Sequence, residues 1–130
     1  MRKVYIATAF ENAERARDLA SRLPIGWAWK YDWTGHTYDD DPLEVAVSDS
    51  TAVMHADALI MLLPGGPGAH TELGLALGVG IPVCIVGYQP RKDSRWPRCP
   101  FNLLGRRVEG TDESLQWLQN LPEAAGKAKS

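Results

Sequence analysis

The stretch ALIMLLPGGPG, residues 58–68, decides the fold. Its six consecutive apolar residues predict a strand that is buried on both faces, as in the interior of a parallel sheet. The proline and glycine residues that follow predict a tight turn. Residues 69–78 then predict a helix, and the apolar run at residues 82–86 predicts a second strand. Strand, helix and strand in this order predict a βαβ unit, in which the two strands are parallel.

The same alternation extends in both directions from this unit. The predicted strands are residues 4–7, 27–33, 58–63, 82–86 and 107–108, and the predicted helices are residues 10–23, 42–56, 69–78 and 112–121. Residues 27–33 alternate aromatic and other side chains, which is typical of a strand with one aromatic face. Thr111 is the expected N-cap of the last helix. Alternating strands and helices with right-handed crossovers predict an α/β fold: a doubly wound, flavodoxin- or Rossmann-like parallel sheet of five strands with helices on both faces.

Length, charge and cysteine content limit the function classes. At 130 residues the chain is one domain, and we expect residues 1–123 to form it and residues 124–130 to be a frayed tail. The net charge of −2 argues against a nucleic-acid partner, and the short basic run at residues 91–98 is interpreted as a solvated loop. The two cysteines form neither a disulfide framework nor a metal-binding pattern, so neither a metal nor a cofactor is expected.

The apolar segments also bear on location. No apolar run is long enough to span a bilayer, so no membrane association is expected. The first strand is followed at once by Glu11 and Asn12, without the small-residue cleavage site of a signal peptide. A cytoplasmic enzyme is the resulting expectation.

In a doubly wound sheet, ligands bind at the carboxyl ends of the strands, where the strand order reverses. The segment from Ala7 to Phe10 and the glycine-rich turn are both predicted to lie there. A turn from strand to helix directs free N–H groups and the positive end of the helix dipole outward, which suits an anion or a polar sugar. The turn lacks the Lys-Ser/Thr of a Walker loop and the G-x-G-x-x-G spacing of dinucleotide binders. The candidate substrate-binding residues at this edge are Ala7, Phe10, Gly65, Gly66, Gly68 and His70.

Two acidic residues are candidates for catalysis. Glu72 is predicted to lie in the first turn of its helix, where the dipole favours the ionised carboxylate that a nucleophile requires. Acidic residues also occur in first turns simply because they stabilise the helix, and position alone favours that interpretation. Asp49 falls on the apolar side of its helix, in line with Val45, Ala52 and Val53, where desolvation would raise its pKa and make it a proton donor. A buried acid satisfied by a nearby turn is an equally good interpretation.

Several short motifs together resemble the nucleoside 2-deoxyribosyltransferase family. They are Tyr5-Ile6-Ala7, Asp49, Ala56-Asp57, the segment GAHTELG at residues 68–74, and Pro100-Phe101-Asn102-Leu103. The most specific is Gly-x-x-x-Glu-Leu-Gly-x-Ala-Leu, which begins at Gly68. The similarity covers most of the chain, from the first strand to Leu103.

The resemblance implies a role for each matching residue. Glu72 would attack the anomeric carbon and form a glycosyl-enzyme ester, and Tyr5 would orient it. Asp49 would contact the sugar or take part in proton transfer. Asn102 would reach into the neighbouring subunit's site to hold the sugar 5′-oxygen. The resemblance therefore also implies a homodimer or a higher homo-oligomer.

The chain departs from the transferase pattern at two places. Residues 124–130 hold no counterpart of the C-terminal residues that complete the base pocket of the transferases. Gly66 stands where the transferases carry the acid that reads the base, six residues before the nucleophile. Residues 64–72 also resemble the Pro-Gly-Gly-x-Gly-Thr-x-x-Glu motif of the cytokinin-activating phosphoribohydrolases, with Ala69 in place of the threonine. Those enzymes also cleave an N-glycosidic bond, so both resemblances imply the same reaction class.

The resulting functional prediction is cleavage of the N-glycosidic bond of a nucleoside or deoxynucleoside through a glycosyl-enzyme on Glu72, by transfer to another base or by hydrolysis. Asn102 and the absence of arginine from residues 7–10 favour a free nucleoside over its 5′-phosphate. The alternatives are a nucleoside 5′-monophosphate N-glycosidase and a nucleotide-sensing module without catalysis.

Overall fold

A five-stranded, entirely parallel sheet forms the centre of the computed structural model, which describes residues 1–89 and 98–123. The strands are β1 (Arg2–Ala7), β2 (Trp27–Ala28), β3 (Ala58–Leu62), β4 (Val83–Val86) and β5 (Arg106–Val108), in the order β2-β1-β3-β4-β5. Every residue of β3 and β4 is buried, as their continuous apolar runs predict. The strand order is that of a flavodoxin-like sheet, so the predicted fold class is confirmed.

The strand order places a crevice between β1 and β3. From β1 the chain passes outward to β2, whereas from β3 it passes in the opposite direction to β4. The connections therefore diverge at the carboxyl ends of β1 and β3, and this is where doubly wound sheets bind their ligands. Ala7 at the end of β1 pairs with Met61 of β3, which sets the two strand ends side by side.

Four helices cover the sheet: α1 (Ala13–Ala20), α2 (Pro42–Met54), α3 (Pro67–Val79) and α4 (Thr111–Asn120). α2 packs against α3, while Arg22, just beyond α1, bonds to Asp112 at the start of α4 at 2.9 Å. Right-handed crossovers place α1 on one face of the sheet and α2 and α3 on the other, as predicted. The helix ends follow local chemistry: the Asp41 side chain accepts from the N–H of Leu43, and Gly80 closes α3 at φ +84°.

The prediction of an aromatic strand at residues 27–33 is wrong beyond Ala28. Trp33 instead begins a short 3-10 turn, Trp33–Gly35, which is capped by Asp32 through the N–H of Thr34. The indole of Trp33 is buried and donates to the carbonyl of Ile6 at 2.6 Å. The aromatic residues therefore pack the chain against β1 as it crosses the carboxyl edge of the sheet.

The ends of the helices also differ from prediction, and α2, for example, ends at Met54 instead of residue 56. The first helix starts as a 3-10 turn, Phe10–Asn12, and ends at Ala20. α3 starts two residues early because Pro67 fits the first helical position. Thr111 is the first residue of α4 rather than its N-cap, which is Gly110; Glu113 accepts from the Gly110 N–H at 2.8 Å.

Two sequence predictions concern regions that the structure does not describe. The tail at residues 124–130 and most of the basic run, residues 91–97, lie outside the described residues. Within residues 1–89 and 98–123 no helix has the length and apolarity needed to cross a bilayer.

The outward face of α2 is unusually apolar. Leu43 is 70 % exposed and Val47, one turn later, is 57 % exposed. Contiguous exposed apolar surface is uncommon on monomeric proteins and typically marks an interaction site. If the predicted homo-oligomer forms, this face is where we expect its contact to lie.

We expect Val47→Glu to lower the sedimentation coefficient toward that of a monomer, because a charge on this face opposes burial against a second copy. Sedimentation velocity at several protein concentrations measures the effect. Ile25→Glu is the matched control, since Ile25 is fully exposed in the turn before β2. An unchanged protein that sediments as a monomer at micromolar concentration would contradict the homo-oligomer.

Candidate active site

A hydrogen bond joins β1 to α3 beside the crevice. The Tyr5 hydroxyl donates to Glu72 Oε2 at 2.7 Å. Tyr5 is buried, and its pKa is raised by that burial and then by the negative charges of Glu72 and Asp49. The phenol therefore stays protonated and acts as a fixed donor that orients the carboxyl group of Glu72.

The environment of Glu72 differs from the sequence prediction. Because α3 starts at Pro67, Glu72 lies in its second turn and not in the first, where the helix dipole acts. Burial raises the pKa of Glu72 to about 7, the Tyr5 hydrogen bond opposes this rise, and the charge of Asp49 adds to it. The carboxyl therefore titrates near neutrality instead of being held fully ionised.

Asp49 lies in a polar cluster. Its Oδ1 accepts a 2.5 Å hydrogen bond from the Tyr31 hydroxyl and lies 3.5 Å from His36 Nε2. The side chain is 22 % exposed. The prediction that Asp49 is desolvated among apolar side chains is therefore wrong, because the chain after β2 brings Tyr31 and His36 against it.

The tyrosines bring the two carboxyl groups together. The rings of Tyr5 and Tyr31 stack with centroids 6.1 Å apart and planes inclined by 17°. The hydroxyl of Tyr5 holds Glu72, and that of Tyr31 holds Asp49. Two acids with different surroundings thus face the same crevice, an arrangement suited to acid–base and nucleophilic chemistry. Tyr31 is not among the candidate site residues predicted from the sequence, because the alternating pattern places it in a strand.

The described glycines with a positive φ are Gly26, Gly80 and Gly87, and none of them lies in the glycine-rich turn. A Cβ on Gly65 would lie 2.6 Å from Met61 Cε and 3.0 Å from Ala69 Cβ, so a side chain there would require the end of the Met61 side chain to shift. A Cβ on Gly66 or Gly68 would meet nothing within 4 Å. These two glycines therefore leave open space over bare backbone at the start of α3, as a close-lying ligand needs.

The segment after β1 fixes the position of this turn. Thr8 Oγ1 donates to the carbonyl of Leu62 at 2.8 Å, and Asn12 donates to that of Pro64 at 3.2 Å. Arg15 donates to the carbonyl of Leu63 at 2.9 Å. None of these three residues is among the candidate site residues predicted from the sequence.

A cavity of about 860 Å³ lies on the far side of the turn, between the ends of β3 and β4. Its lining includes Gly65, His70, Tyr88, Arg98 and Asn102. His70 Nδ1 and Asn102 Oδ1 are buried and have no hydrogen-bond partner among the described residues. Unpaired buried polar atoms are costly, so His70 and Asn102 are candidate contacts for a polar ligand in this cavity.

Asn102 is only 4 % exposed and lines the cavity of its own chain. The short helical turn Pro100–Leu104 carries it inward. It is therefore not presented on the surface of this chain, whereas the family resemblance implies that it reaches into a neighbouring subunit.

The other predicted site residues differ in accessibility. Phe10 is about half exposed at the rim, with its ring centroid 6.4 Å from that of Trp33. Ala7 is fully buried, so its side chain leaves no surface for a substrate. Within the described part of the chain, no group of three or more His, Cys, Asp or Glu side chains could hold a metal ion.

Comparison with known proteins shows the fold. No family model matches the chain, and no curated protein matches its sequence. Among solved structures, a conserved protein from Enterococcus faecalis V583 superposes with a TM-score of 0.68 at 21 % identity, over 93 % of this chain and 99 % of that one. The CMP N-glycosidase BcmB of Clostridium botulinum superposes with a TM-score of 0.59, also at 21 % identity, over 91 % of this chain and 99 % of that one.

The raised pKa of Glu72 predicts a pH-dependent cost to stability. The unfolded carboxyl titrates near 4.5 and the folded one near 7, so folding is progressively opposed as pH rises between these values. The free energy of unfolding of Glu72→Gln should therefore exceed that of the unchanged protein by a margin that is larger at pH 8 than at pH 4.5. After discounting for partial exposure, the margin should grow by about 1–2 kcal/mol between the two pH values.

Urea unfolding at the two pH values measures this difference. Glu44→Gln, at an exposed position at the start of α2, is the matched control and should show no such pH trend. A Glu72→Gln difference that is independent of pH would show that Glu72 is not destabilised in the fold.

Proposed function

We propose that the chain cleaves the N-glycosidic bond of a nucleoside-type small molecule, with Glu72 as nucleophile. The observation that carries this proposal is the carboxyl pair at the crevice, with Glu72 held by Tyr5 at 2.7 Å and Asp49 charge-coupled to it. Similarity in fold to a CMP N-glycosidase supports the same reaction class.

In the first step, the ionised Glu72 attacks the anomeric carbon while the bond to the base breaks. Tyr5 occupies Oε2, which leaves Oε1 for the new ester bond. The mutually repelling carboxyl pair keeps one proton near neutral pH. In the reactive form this proton lies on Asp49, which gives it to the departing base, so that the base leaves as a neutral molecule. The result is a glycosyl-enzyme and an Asp49 carboxylate.

In the second step, water or another base attacks the same carbon and releases Glu72. Asp49 takes up the proton that the attacking molecule loses, so each cycle restores the starting charges. Attack by water gives hydrolysis, and attack by a base gives transfer. We propose that the active unit is a homodimer or a higher homo-oligomer.

The substrate lies across the glycine-rich turn in this proposal. The open space at Gly66 and Gly68 takes the sugar, because no side chain intervenes there. The cavity beyond Gly65 takes the 5′ end, where His70 and Asn102 supply unpaired polar atoms.

A second candidate substrate is the nucleoside 5′-monophosphate, and Arg98 is the observation that favours it. Arg98 lines the same cavity as His70 and the glycine-rich turn. Arg98 lies about thirty residues beyond the turn in sequence. A 5′-phosphate in the cavity would therefore have a cationic partner, although the segment after β1 carries no arginine. One of the solved structures that are similar in fold is named for its action on such a nucleotide, CMP.

We expect Glu72→Ala to lower the rate of base release at least about a thousandfold, since no carboxylate is left to form the ester. Liquid chromatography of the free base, with a panel of nucleosides and 5′-monophosphates, measures the rate. A 2-fluoro-deoxynucleoside should add the mass of its sugar to the peptide that contains Glu72.

Glu44→Gln should keep full activity in the same assay. Undiminished base release by Glu72→Ala would contradict the assignment of the nucleophile. Tight binding of a nucleotide by the unchanged protein, with no base released from any member of the panel, would favour the sensing module instead.

Arg98→Gln separates the two substrate classes. If a 5′-phosphate binds in the cavity, kcat/KM for the monophosphate should fall roughly ten- to a hundredfold, as expected for a lost charge-assisted hydrogen bond, and that for the free nucleoside much less. Arg17→Gln on the surface of α1 is the matched control. Equal losses for both substrates would show that Arg98 does not contact a phosphate.

A further inference from the structure

His36 joins the acid cluster through polar contacts of both ring nitrogens. Its Nε2 lies 3.0 Å from the Tyr31 hydroxyl and 3.5 Å from Asp49 Oδ1. Its Nδ1 lies 3.4 Å from Asp40 Oδ2. Each ring nitrogen therefore faces an oxygen atom that can accept a hydrogen bond.

The donor directions follow from the tyrosine. The single hydroxyl proton of Tyr31 is donated to Asp49. The short contact between Tyr31 and His36 must then be a bond in which Nε2–H donates to the hydroxyl oxygen. The resulting chain of bonds runs from His36 through Tyr31 to Asp49.

The local fold holds this chain in place. His36 directly follows the 3-10 turn Trp33–Gly35, and its backbone N–H bonds to the carbonyl of Trp33 at 3.1 Å. Trp33 is anchored to β1 by its bond to Ile6, next to Tyr5. The ring of Tyr31 stacks on that of Tyr5, which holds Glu72. The imidazole is thus built into the same unit as both carboxyl groups.

We propose that Tyr31 and His36 are positioning residues for Asp49, and that the positive charge of His36 offsets the field that Asp49 exerts on Glu72. This inference rests on the proposed function, because it concerns the same carboxyl pair. When His36 is protonated, its charge lies between Asp40 and Asp49 and weakens the repulsion between Asp49 and an ionised Glu72. When His36 is neutral, that repulsion acts in full and Glu72 holds its proton more tightly.

Charge coupling is testable without any substrate. In the full-length protein with ¹³C-labelled glutamate, NMR should show the Glu72 carboxyl titrating at about 7. We expect His36→Gln to move this midpoint upward by about half a pH unit, because the glutamine keeps a hydrogen-bond donor but carries no charge. His55→Gln is the matched control, since His55 is exposed at the end of α2 and bonds only locally, to Thr51.

A Glu72 midpoint that is unchanged in His36→Gln, or that shifts equally in His55→Gln, would overturn the coupling. Because this titration needs no turnover, it decides the inference even if the unchanged protein releases no base. In that case the proposed function would fail while the charge coupling could still hold.

Positioning by Tyr31 is tested with two leaving groups. Tyr31→Phe keeps the ring but removes the donor to Asp49, so kcat should fall about tenfold or more for a natural nucleoside, with KM little changed. A 4-nitrophenyl glycoside, whose leaving group needs no protonation, should lose much less. Equal losses for both substrates would show that Tyr31 supports the fold instead of Asp49.

Discussion

The hydrogen bond between Tyr5 and Glu72 is the interaction on which the candidate site depends. It ties the interior strand β1 to α3, and so fixes a carboxyl group at the edge of the apolar core. A carboxylate there loses much of its hydration, and a single phenol donor recovers only part of it. The raised pKa of Glu72 records this imbalance. Such a carboxyl is more basic and more nucleophilic than one on the surface, at the expense of some stability.

The sequence predicts the fold well because the fold depends on long and unambiguous patterns. The apolar run at residues 58–63 can hardly be anything but an interior strand, and β3 is buried throughout. The observed sheet order also confirms the predicted alternation of strands and helices. Glu72 and Tyr5 are predicted as partners through the family resemblance, and the structure places them 2.7 Å apart.

The surroundings of Asp49 could not be predicted in the same way. Helical phase places Asp49 beside Val45 and Val53 but says nothing about which loop covers it. That loop carries Tyr31 and His36, and their positions depend on the turn at Trp33, which an alternating aromatic pattern disguises as a strand. The error at Glu72 has a similar origin, because a shift of two residues in the start of α3 moves the side chain from the first turn to the second. Fold is robust to such errors, whereas a reactive site is not.

The open space at Gly66 has a consequence for how this protein could evolve. Its backbone is extended, at φ −87° and ψ −174°, so any residue can adopt it, and a Cβ there would meet no neighbouring atom. The turn is held by Thr8, Asn12 and Arg15 through backbone carbonyls, independently of the side chain at position 66. A substitution at this position would change what borders the crevice without a steric conflict in the fold. Specificity at this edge is therefore open to change by single mutations, on a scaffold that the substitution leaves intact.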